Sequence, residues 1–383
     1  MKRVLCYLAF LSLLSSVYLY SYSLQVTGPV KDIKFHPVVF FQPGYRVVGN
    51  TSFNRYDQNG FFFGKAKVGG KVESKFMNRK VILKSVANIS TGVFELNDLF
   101  IDIEFLPQLV LRVGQFKVPF LETNEISECR SQFTSKPFLS TLSFKRDRGA
   151  AIKGKISLLK IDYFAGVFNG EGTGQQVNIN EKYLFTFRVG FSPFGYFNFK
   201  DSSDLERVRN WKIRIGVGYA YNPDDSRSKF HNRNIRYTAD LMVKFRGFSM
   251  TGAYAISNRL RTGNDTSFKP FSQKGWFVQF GYIEPFLNIV EPVFRYERYD
   301  NNDRSDGFVE KEINGITMKE WKVPDDAARE RYQFGLNFYF AKHNLELKAI
   351  YSIFNFLEGP RTDLNGDPLI GDSFELQLQF GIF

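Results

Sequence analysis

The feature that most constrains the fold is an alternation of apolar and polar residues that recurs along almost the whole chain. From about Val38 onward, segments of roughly ten alternating residues are separated by breaks rich in Gly, Asn, Asp and Pro. Because successive side chains of a β-strand point to opposite faces, a period of two predicts strands with one apolar and one polar face. No helical periodicity of comparable length appears. The clearest such segments are Tyr183–Phe191, Trp211–Tyr219, Tyr237–Phe245, Tyr332–Phe340 and Leu345–Ile353.

The apolar faces are rich in aromatic residues, which decides between a soluble sheet and a membrane barrel. The chain contains 43 Phe and 19 Tyr, and 23% of its residues are charged, too many for a bundle of apolar membrane helices. A soluble sandwich has no reason to end its apolar stripes in Tyr, Trp and Phe. A transmembrane barrel has aromatic girdles at both interfaces, an outward apolar band and a polar lumen. The sequence therefore predicts an all-β fold, a transmembrane antiparallel β-barrel of about 16 strands.

The breaks between strands alternate in length, as expected for a barrel with short periplasmic turns and long extracellular loops. Both termini then lie on the periplasmic side. One break, 192–210, is long where a short turn is due, so it is either a structured periplasmic segment or an error in strand assignment. Short breaks fall near 106–108, 158–160, 246–247, 284–288 and 341–344, and long breaks near 118–148, 169–182, 222–234, 257–274, 301–329 and 356–371.

The first residues have the features of a secretory signal. Residues 1–23 combine a basic start, Lys2 and Arg3, with an apolar middle and a small-residue ending, which predicts cleavage after Ser23. The alternative is a non-cleaved anchor, but no stop-transfer flank follows. Residues 24–383 then form a single barrel domain. Cleavage leaves Cys129 as the one remaining cysteine, so no internal disulfide is expected, and it lowers the formal net charge from +12 to +10. This basic balance predicts anionic partners, and export makes nucleic acid the least expected of them.

The chain ends in FELQLQFGIF, a strand closed by Phe383. A terminal aromatic strand is what outer-membrane barrels present to their assembly machinery. Phe383 is therefore predicted to contact that machinery in the outer membrane of a Gram-negative bacterium.

Four stretches resemble a known family. ELNDLFIDIEF, LRVGQFKVPFLETNE, FKRDRGAAIKGKI and IDYFAGVFNGEG resemble the phosphate-selective porin O and P family, within a block from about Phe61 to Gly195. RYQFGLNFYFAKHNLELKAIY is a weaker match near the end. The resemblance implies a trimeric channel with 16 strands, whose Arg- and Lys-lined pore is narrowed by an inward-folded loop. Many members of the family have the fold without a demonstrated phosphate preference.

Basic residues lie opposite the apolar stripes and are candidates for an anion pathway. A Lys or Arg facing lipid near the midplane costs roughly 2–4 kcal/mol, so these side chains are predicted to face a wet lumen. There their donors replace part of the hydration shell of a passing oxyanion, and about half are expected to pair with acidic neighbours. The candidates are Arg112, Lys153, Lys155, Arg188, Lys212, Arg214, Arg236, Lys244, Arg295 and Lys348.

The long break between 118 and 148 is the third outside loop by position. In porins this loop commonly folds inward and narrows the pore. The alternative is an exposed, charge-rich loop. Its candidate constriction residues are Arg130, Lys136, Lys145, Arg146 and Arg148.

The predicted function is a passive outer-membrane channel for anions such as phosphate, with no cofactor and no metal. A general diffusion porin without a saturable anion site is the nearest alternative. A barrel enzyme would need a catalytic group near the rim, where His231 is the one candidate, and a plugged adhesin would not conduct. The Asp-rich stretches at 300–307 and 363–367 lack a full calcium-loop spacing and are predicted to be turns.

Overall fold

The structure is a computed structural model. It describes residues 23–24, 30–49, 59–173, 177–225, 232–261, 270–303, 308–313, 316–321, 328–357 and 371–382. The predicted signal peptide, residues 1–23, lies outside this part of the chain apart from Ser23, as do His231 and Phe383, so the predictions made for them stay predictions.

Sixteen strands pair in chain order, each antiparallel to the next, and the last strand pairs with the first to close a barrel. The two-residue strand Ser23–Leu24 pairs beside the first barrel strand, and Phe308–Ile313 with Ile316–Trp321 forms a separate hairpin. The prediction of about sixteen strands is confirmed. The barrel strands are β1 Val30–Val48, β2 Gly60–Phe76, β3 Arg79–Asn88, β4 Glu95–Leu106, β5 Leu109–Lys117, β6 Arg146–Ile156, β7 Ile161–Phe168, β8 Leu184–Phe191, β9 Lys212–Asp225, β10 Asn232–Phe245, β11 Phe248–Leu260, β12 Phe271–Tyr282, β13 Val290–Asp300, β14 Arg329–Tyr339, β15 Leu345–Phe356 and β16 Ser373–Ile382.

The apolar face of the strands points outward. Phe187 on β8 is 48% exposed and Val217 on β9 is 52% exposed, whereas Arg188 between two apolar neighbours is buried inside. Aromatic rings pair across neighbouring strands near both ends of the barrel. Trp211 stacks on Phe245 with centroids 4.4 Å apart, and Tyr219 lies 5.4 Å from Tyr237. The apolar exterior with aromatic pairs at two levels is typical of a bilayer-spanning barrel.

Short and long connections alternate around the barrel, as the sequence predicts. One end carries turns such as 77–78, 107–108 and 246–247, and the other carries loops such as 118–145 and 301–328. By the rule for outer-membrane barrels, the short-turn end faces the periplasm. Among the described residues, no helix is long and apolar enough to cross a bilayer.

Two connections turn into the lumen from opposite ends. The first is the long loop 118–145, hereafter the inward loop, which contains the short helix Glu122–Glu125 and the 3-10 turns Glu128–Arg130 and Phe138–Leu142. The second is 192–211, hereafter the inward connection, which belongs to the short-turn end. The long break predicted at 192–210 is therefore a structured segment. The strands on either side of it, β8 and β9, agree with the prediction to within a few residues.

The packed core lies inside the barrel, between the inward loop and the strands that face it. Phe120, Leu139 and Phe144 of the loop are buried in one cluster with Ala255 and Phe277 of β11 and β12. Small wall residues such as Ala255 leave space for the loop, and aromatic wall residues such as Phe277 pack against it. This packing fills one side of the lumen and leaves open space on the other.

Candidate functional site

A cavity of about 670 Å³ occupies the open side of the lumen. Strands β1 to β6 form its wall, and both inward segments contribute to it. Nine basic side chains and three acidic side chains line it, a formal excess of positive charge. The acidic residues are Asp98, Asp102 and Glu125, and the basic residues are Lys67, Lys71, Lys84, Arg112, Lys117, Arg130, Arg146, Lys153 and Lys200.

Arg112 and Lys153 share one carboxylate on the cavity wall. Arg112 donates from Nε and Nη2 to Asp102 at 2.6 and 2.7 Å, and Lys153 donates to Asp102 Oδ2 at 2.8 Å. Asp102 and Arg112 are direct cross-strand partners, and the Arg112 guanidinium lies 3.8 Å from the centroid of the Phe100 ring. Two cations on one carboxylate leave a net positive charge held in a fixed geometry.

A second unit of the same composition lies four residues earlier on β4. Arg146 donates from Nε to Asp98 at 2.7 Å, and the Lys84 ammonium lies 3.0 Å from the other carboxylate oxygen. Asp98, Phe100 and Asp102 face the lumen together because residues at i, i+2 and i+4 of a strand share a face. Two carboxylates thus position four cations along one wall.

Most of the other predicted pathway residues hold the inward segments instead of lining the cavity. Each is buried and donates to a backbone carbonyl of one of the two segments. Arg188 donates to Phe120 O at 2.6 Å, Arg295 to Ser135 O at 3.0 Å, Lys348 to Ser131 O at 2.7 Å and Lys244 to Ser203 O at 2.6 Å, while Arg236 donates to Leu142 O.

Arg188 and Arg214 also form a buried ionic cluster under the inward loop. Both donate to Glu122 Oε2, at 2.7 and 2.6 Å. Arg188 additionally binds Asp240, and Arg214 binds Asp162 at 2.6 Å. The loop carboxylate Glu122 is therefore clamped by two wall arginines. Removing one partner of such a buried cluster is strongly destabilising.

Lys155 and Lys212 lie near the short-turn end. Lys155 is exposed, with its ammonium 5.1 Å from the centroid of the Tyr196 ring. Lys212 donates to Phe194 O at 3.0 Å. Both contact the inward connection and neither lines the cavity.

The five predicted constriction residues lie in the inward loop and at the start of β6. Only some of them line the cavity. Arg130 and Arg146 line the cavity. Lys145 is exposed and has a left-handed backbone, with φ of 55°. Arg148 borders an outer groove beside the outward-facing Leu99 and Val113.

Lys136 is held inside the loop. Its ammonium donates to Thr123 O and Ile126 O, both at 2.7 Å. Desolvation by burial, assisted by the positive charge of Lys117, lowers the pKa of Lys136 to about 7. Lys136 therefore stabilises the loop backbone from within.

Five cavity cations were not among the sequence candidates: Lys67, Lys71, Lys84, Lys117 and Lys200. The alternation around Lys67 and Lys71 is blurred by the run FFF and by the pair Gly69–Gly70, so the face of β2 is hard to assign. Lys84 shares its face of β3 with the apolar Ile82 and Val86, which also line the cavity, so alternation does not distinguish it. Lys200 lies on a connection, where no periodicity applies.

The histidines of the described residues form no metal site, and no group of three or more His, Cys, Asp or Glu there has a metal-binding arrangement. His36 lines the cavity. His343 is buried in a short turn, with Nε2 2.9 Å from Asp201 Oδ2 and Nδ1 2.8 Å from Glu346 Oε2. Burial alone lowers the pKa of His343, but the two carboxylates outweigh it and raise the pKa to about 9.

Comparison with known sequences finds little. No family model matches the chain. An uncharacterized protein of Aquifex aeolicus (strain VF5) is 21% identical over 235 residues, which cover 57% of this chain and 57% of the relative. The chain thus spans little more than half the length of the curated relative it matches.

Comparison with solved structures finds outer-membrane porins and channels. OmpT, an outer membrane protein of Vibrio cholerae in its trimer form, has a TM-score of 0.60 at 11% identity, covering 91% of this chain and 99% of its own. An anion-selective porin from Comamonas acidovorans has a TM-score of 0.59 at 9% identity, covering 92% and 99%. OmpF of Salmonella typhi, in complex with daunomycin, has a TM-score of 0.57 at 11% identity, covering 92% and 98%. These identities show a shared fold: the chain is a closed sixteen-stranded β-barrel of the type found in the Gram-negative outer membrane.

Proposed function

We propose that the protein is a passive outer-membrane channel for small anions, without enzymatic activity and without a cofactor. The observation that carries this proposal is the cavity on the open side of the lumen, with nine basic and three acidic side chains. Anions enter along the wall of β1 to β6. The two inward segments exclude large solutes by filling the rest of the lumen.

The physical basis of the proposed anion passage is electrostatic focusing in a cavity with low-dielectric walls. A cleft lined by one sign of charge raises the local concentration of counter-ions and speeds their entry. A passing anion must exchange part of its hydration shell for donors that are numerous but individually weak enough to release it. The two units around Asp98 and Asp102 meet this requirement, because each shares its cations with a carboxylate and so binds an anion less tightly than bare cations would.

We propose phosphate or a related oxyanion as the preferred solute. The support is the sequence resemblance to the phosphate-selective porin O and P family, together with the donors left on the wall. Arg112 uses Nε and Nη2 on Asp102, so its Nη1 remains to donate toward the cavity. The anion-selective porin among the structural neighbours supports anion passage and says nothing of phosphate.

The assembly we propose is a homotrimer in the outer-membrane lipid, inserted by the barrel-assembly machinery through Phe383 after cleavage at Ser23. A trimer form is recorded for the structural neighbour OmpT. The apolar exterior, exposed on strands such as β8 and β9, fits contact with lipid and with further copies of the barrel.

The experiment is chloride conductance of the purified barrel in a planar bilayer, titrated with millimolar phosphate. Saturable block by phosphate is the expected result and establishes an oxyanion site. Conductance that ignores phosphate identifies a general diffusion porin and removes the phosphate assignment. No conductance at all contradicts the channel and favours a plugged structural barrel.

A further inference from the structure

The inward connection is an unusual element, because it enters the lumen from the short-turn end. Three of its residues are fixed to the wall. Tyr196 donates to Ile161 O at 2.7 Å, the Arg214 guanidinium lies 4.2 Å from the centroid of the Phe199 ring, and Asp201 pairs with His343 at 2.9 Å. The contacts of Phe199 and Asp201, the two chain neighbours of residue 200, therefore fix the position of the backbone there.

Lys200 lies between two of these fixed residues and lines the cavity. Its side chain is exposed, and it forms no hydrogen bond or ion pair within the described part of the chain. The other five lysines of the cavity are all engaged, for example Lys67 with Glu128 at 2.8 Å and Lys71 with Glu73 at 2.6 Å. Lys200 is thus the least compensated lysine of the cavity.

The inward connection meets the inward loop at one junction beside Lys200. Ser202 donates from its backbone N–H and its Oγ to Arg130 O, at 3.1 and 2.9 Å. Gln132 N donates back to Ser202 Oγ at 2.8 Å. Arg130 lines the same cavity, so two cations from opposite ends of the barrel flank one hydrogen-bonded junction.

We propose that Lys200 is an anion-binding residue of the channel, presented to the path by the inward connection and acting together with Lys153 and Arg112. This inference rests on the proposed anion channel. The positive charge of Lys200 acts on the neighbouring Lys153 ammonium, and Asp102 already neutralises part of the charge of Lys153 and Arg112. An anion that reaches this point gains an ammonium with no competing carboxylate.

The first test compares Lys200→Gln and Lys200→Arg with wild type in planar bilayers. Lys342→Gln is the matched control, since Lys342 is an exposed lysine in a short turn at the same end and does not line the cavity. Lys200→Gln is expected to lower the chloride-to-potassium permeability ratio about two- to threefold, the Coulomb effect of one charge about 6–10 Å away in water. It is also expected to weaken phosphate block. Lys200→Arg retains both properties, and the difference disappears in molar salt because the charge is screened.

The second test asks whether residue 200 faces the conducting path. Lys200→Cys and Lys342→Cys are made in a Cys129→Ser background, and a negatively charged thiol reagent is added during recording. Loss of current only with the cysteine at 200 is expected. An unchanged current with both variants overturns the proposal.

The experiments distinguish a failure of the proposed channel function from a failure of the assignment of Lys200. If wild type is cation-selective or does not conduct, the proposed function fails. If wild type is anion-selective but Lys200→Gln matches Lys342→Gln, the channel stands and the assignment of Lys200 is wrong.

Discussion

Basic residues of the inner wall contribute in two ways, depending on what lies opposite them. Where the wall faces open space, as at Arg112, the guanidinium is shared with one carboxylate and keeps its charge facing the cavity. Where the wall faces the inward loop, as at Arg295, the guanidinium donates to a loop carbonyl and to polar side chains. In the proposed channel, the first kind supplies the electric field, and the second kind fixes the shape of the path.

This division predicts different phenotypes for two arginine variants with the same chemical change. Arg112→Gln is expected to lower the chloride-to-potassium permeability ratio about two- to threefold, the Coulomb effect of one charge about 6–10 Å away in water. It should lower stability less than Arg295→Gln does, because Asp102 keeps its ion pair with Lys153. Reversal potentials in a salt gradient measure the ratio. An unchanged ratio would remove Arg112 from the path.

Arg295→Gln is expected to lower the free energy of unfolding by on the order of 2 kcal/mol, because it breaks charged hydrogen bonds to Ser135, Gln279 and Gln333. Selectivity should stay close to that of wild type. Urea unfolding in lipid vesicles measures the stability. If Arg295→Gln changes selectivity as much as Arg112→Gln does, the assignment of Arg295 to loop anchoring is incorrect.

The inward loop depends on small wall residues as well as on charged ones. A Cβ at Gly216 on β9 would overlap the Asp240 carboxylate and the Arg188 guanidinium, which together anchor the loop near Phe120. The glycine therefore provides the space in which the ionic cluster forms.

Gly216→Val is expected to displace this cluster, destabilise the barrel by about 1–3 kcal/mol and loosen the loop. A loosened loop widens the path, so single-channel conductance should rise. Gly252→Val is the control, because a Cβ at Gly252 meets its nearest atom, Phe277 O, at 3.4 Å and remains in ordinary contact. Equal effects of the two variants would contradict the role of the Gly216 space.

The inward connection depends on the ion pairs of His343. Tyr339 packs edge-on against the imidazole, and Lys348 is 2.7 Å from Glu346, so the charged groups around His343 are Asp201, Glu346 and Lys348. The folded pKa of about 9 lies above the usual value of 6.5. The stabilisation is therefore fully present below about pH 6.5 and is lost as the pH rises through about 9.

Raising the pH from 7 to 10 is thus expected to lower the melting temperature of the purified wild-type barrel more than that of His343→Gln, whose neutral side chain carries no proton to lose. Thermal unfolding followed by circular dichroism at several pH values measures the difference. Parallel pH dependence of the two proteins would show that His343 is not the titrating group.

At the scale of the whole molecule, the fold was predictable because it depends on local pattern. Alternation defines the two faces of each strand, aromatic residues such as Trp211 and Tyr237 identify the membrane face, and the alternating lengths of the breaks order the strands around the barrel. Each of these signals lies within a few residues of the structure it determines. Taken together, these signals predict the closed barrel of sixteen strands.

The site was predictable only in part, because it depends on where two long connections lie. The face of Arg112, Arg188 and Arg295 follows from alternation, but which of them meets water depends on the path of the inward loop. The position of Lys200 depends on His343, which lies more than a hundred residues away in sequence. Contacts of this range leave no periodic signal.

The most direct test of the anion channel is the reversal potential of the purified wild-type barrel across a potassium chloride gradient at neutral pH. A potential of the sign set by chloride is expected, and it should shrink at high ionic strength as the basic cavity is screened. A potential of the sign set by potassium would contradict the proposed function, because the lining of the cavity would then not determine which ion passes.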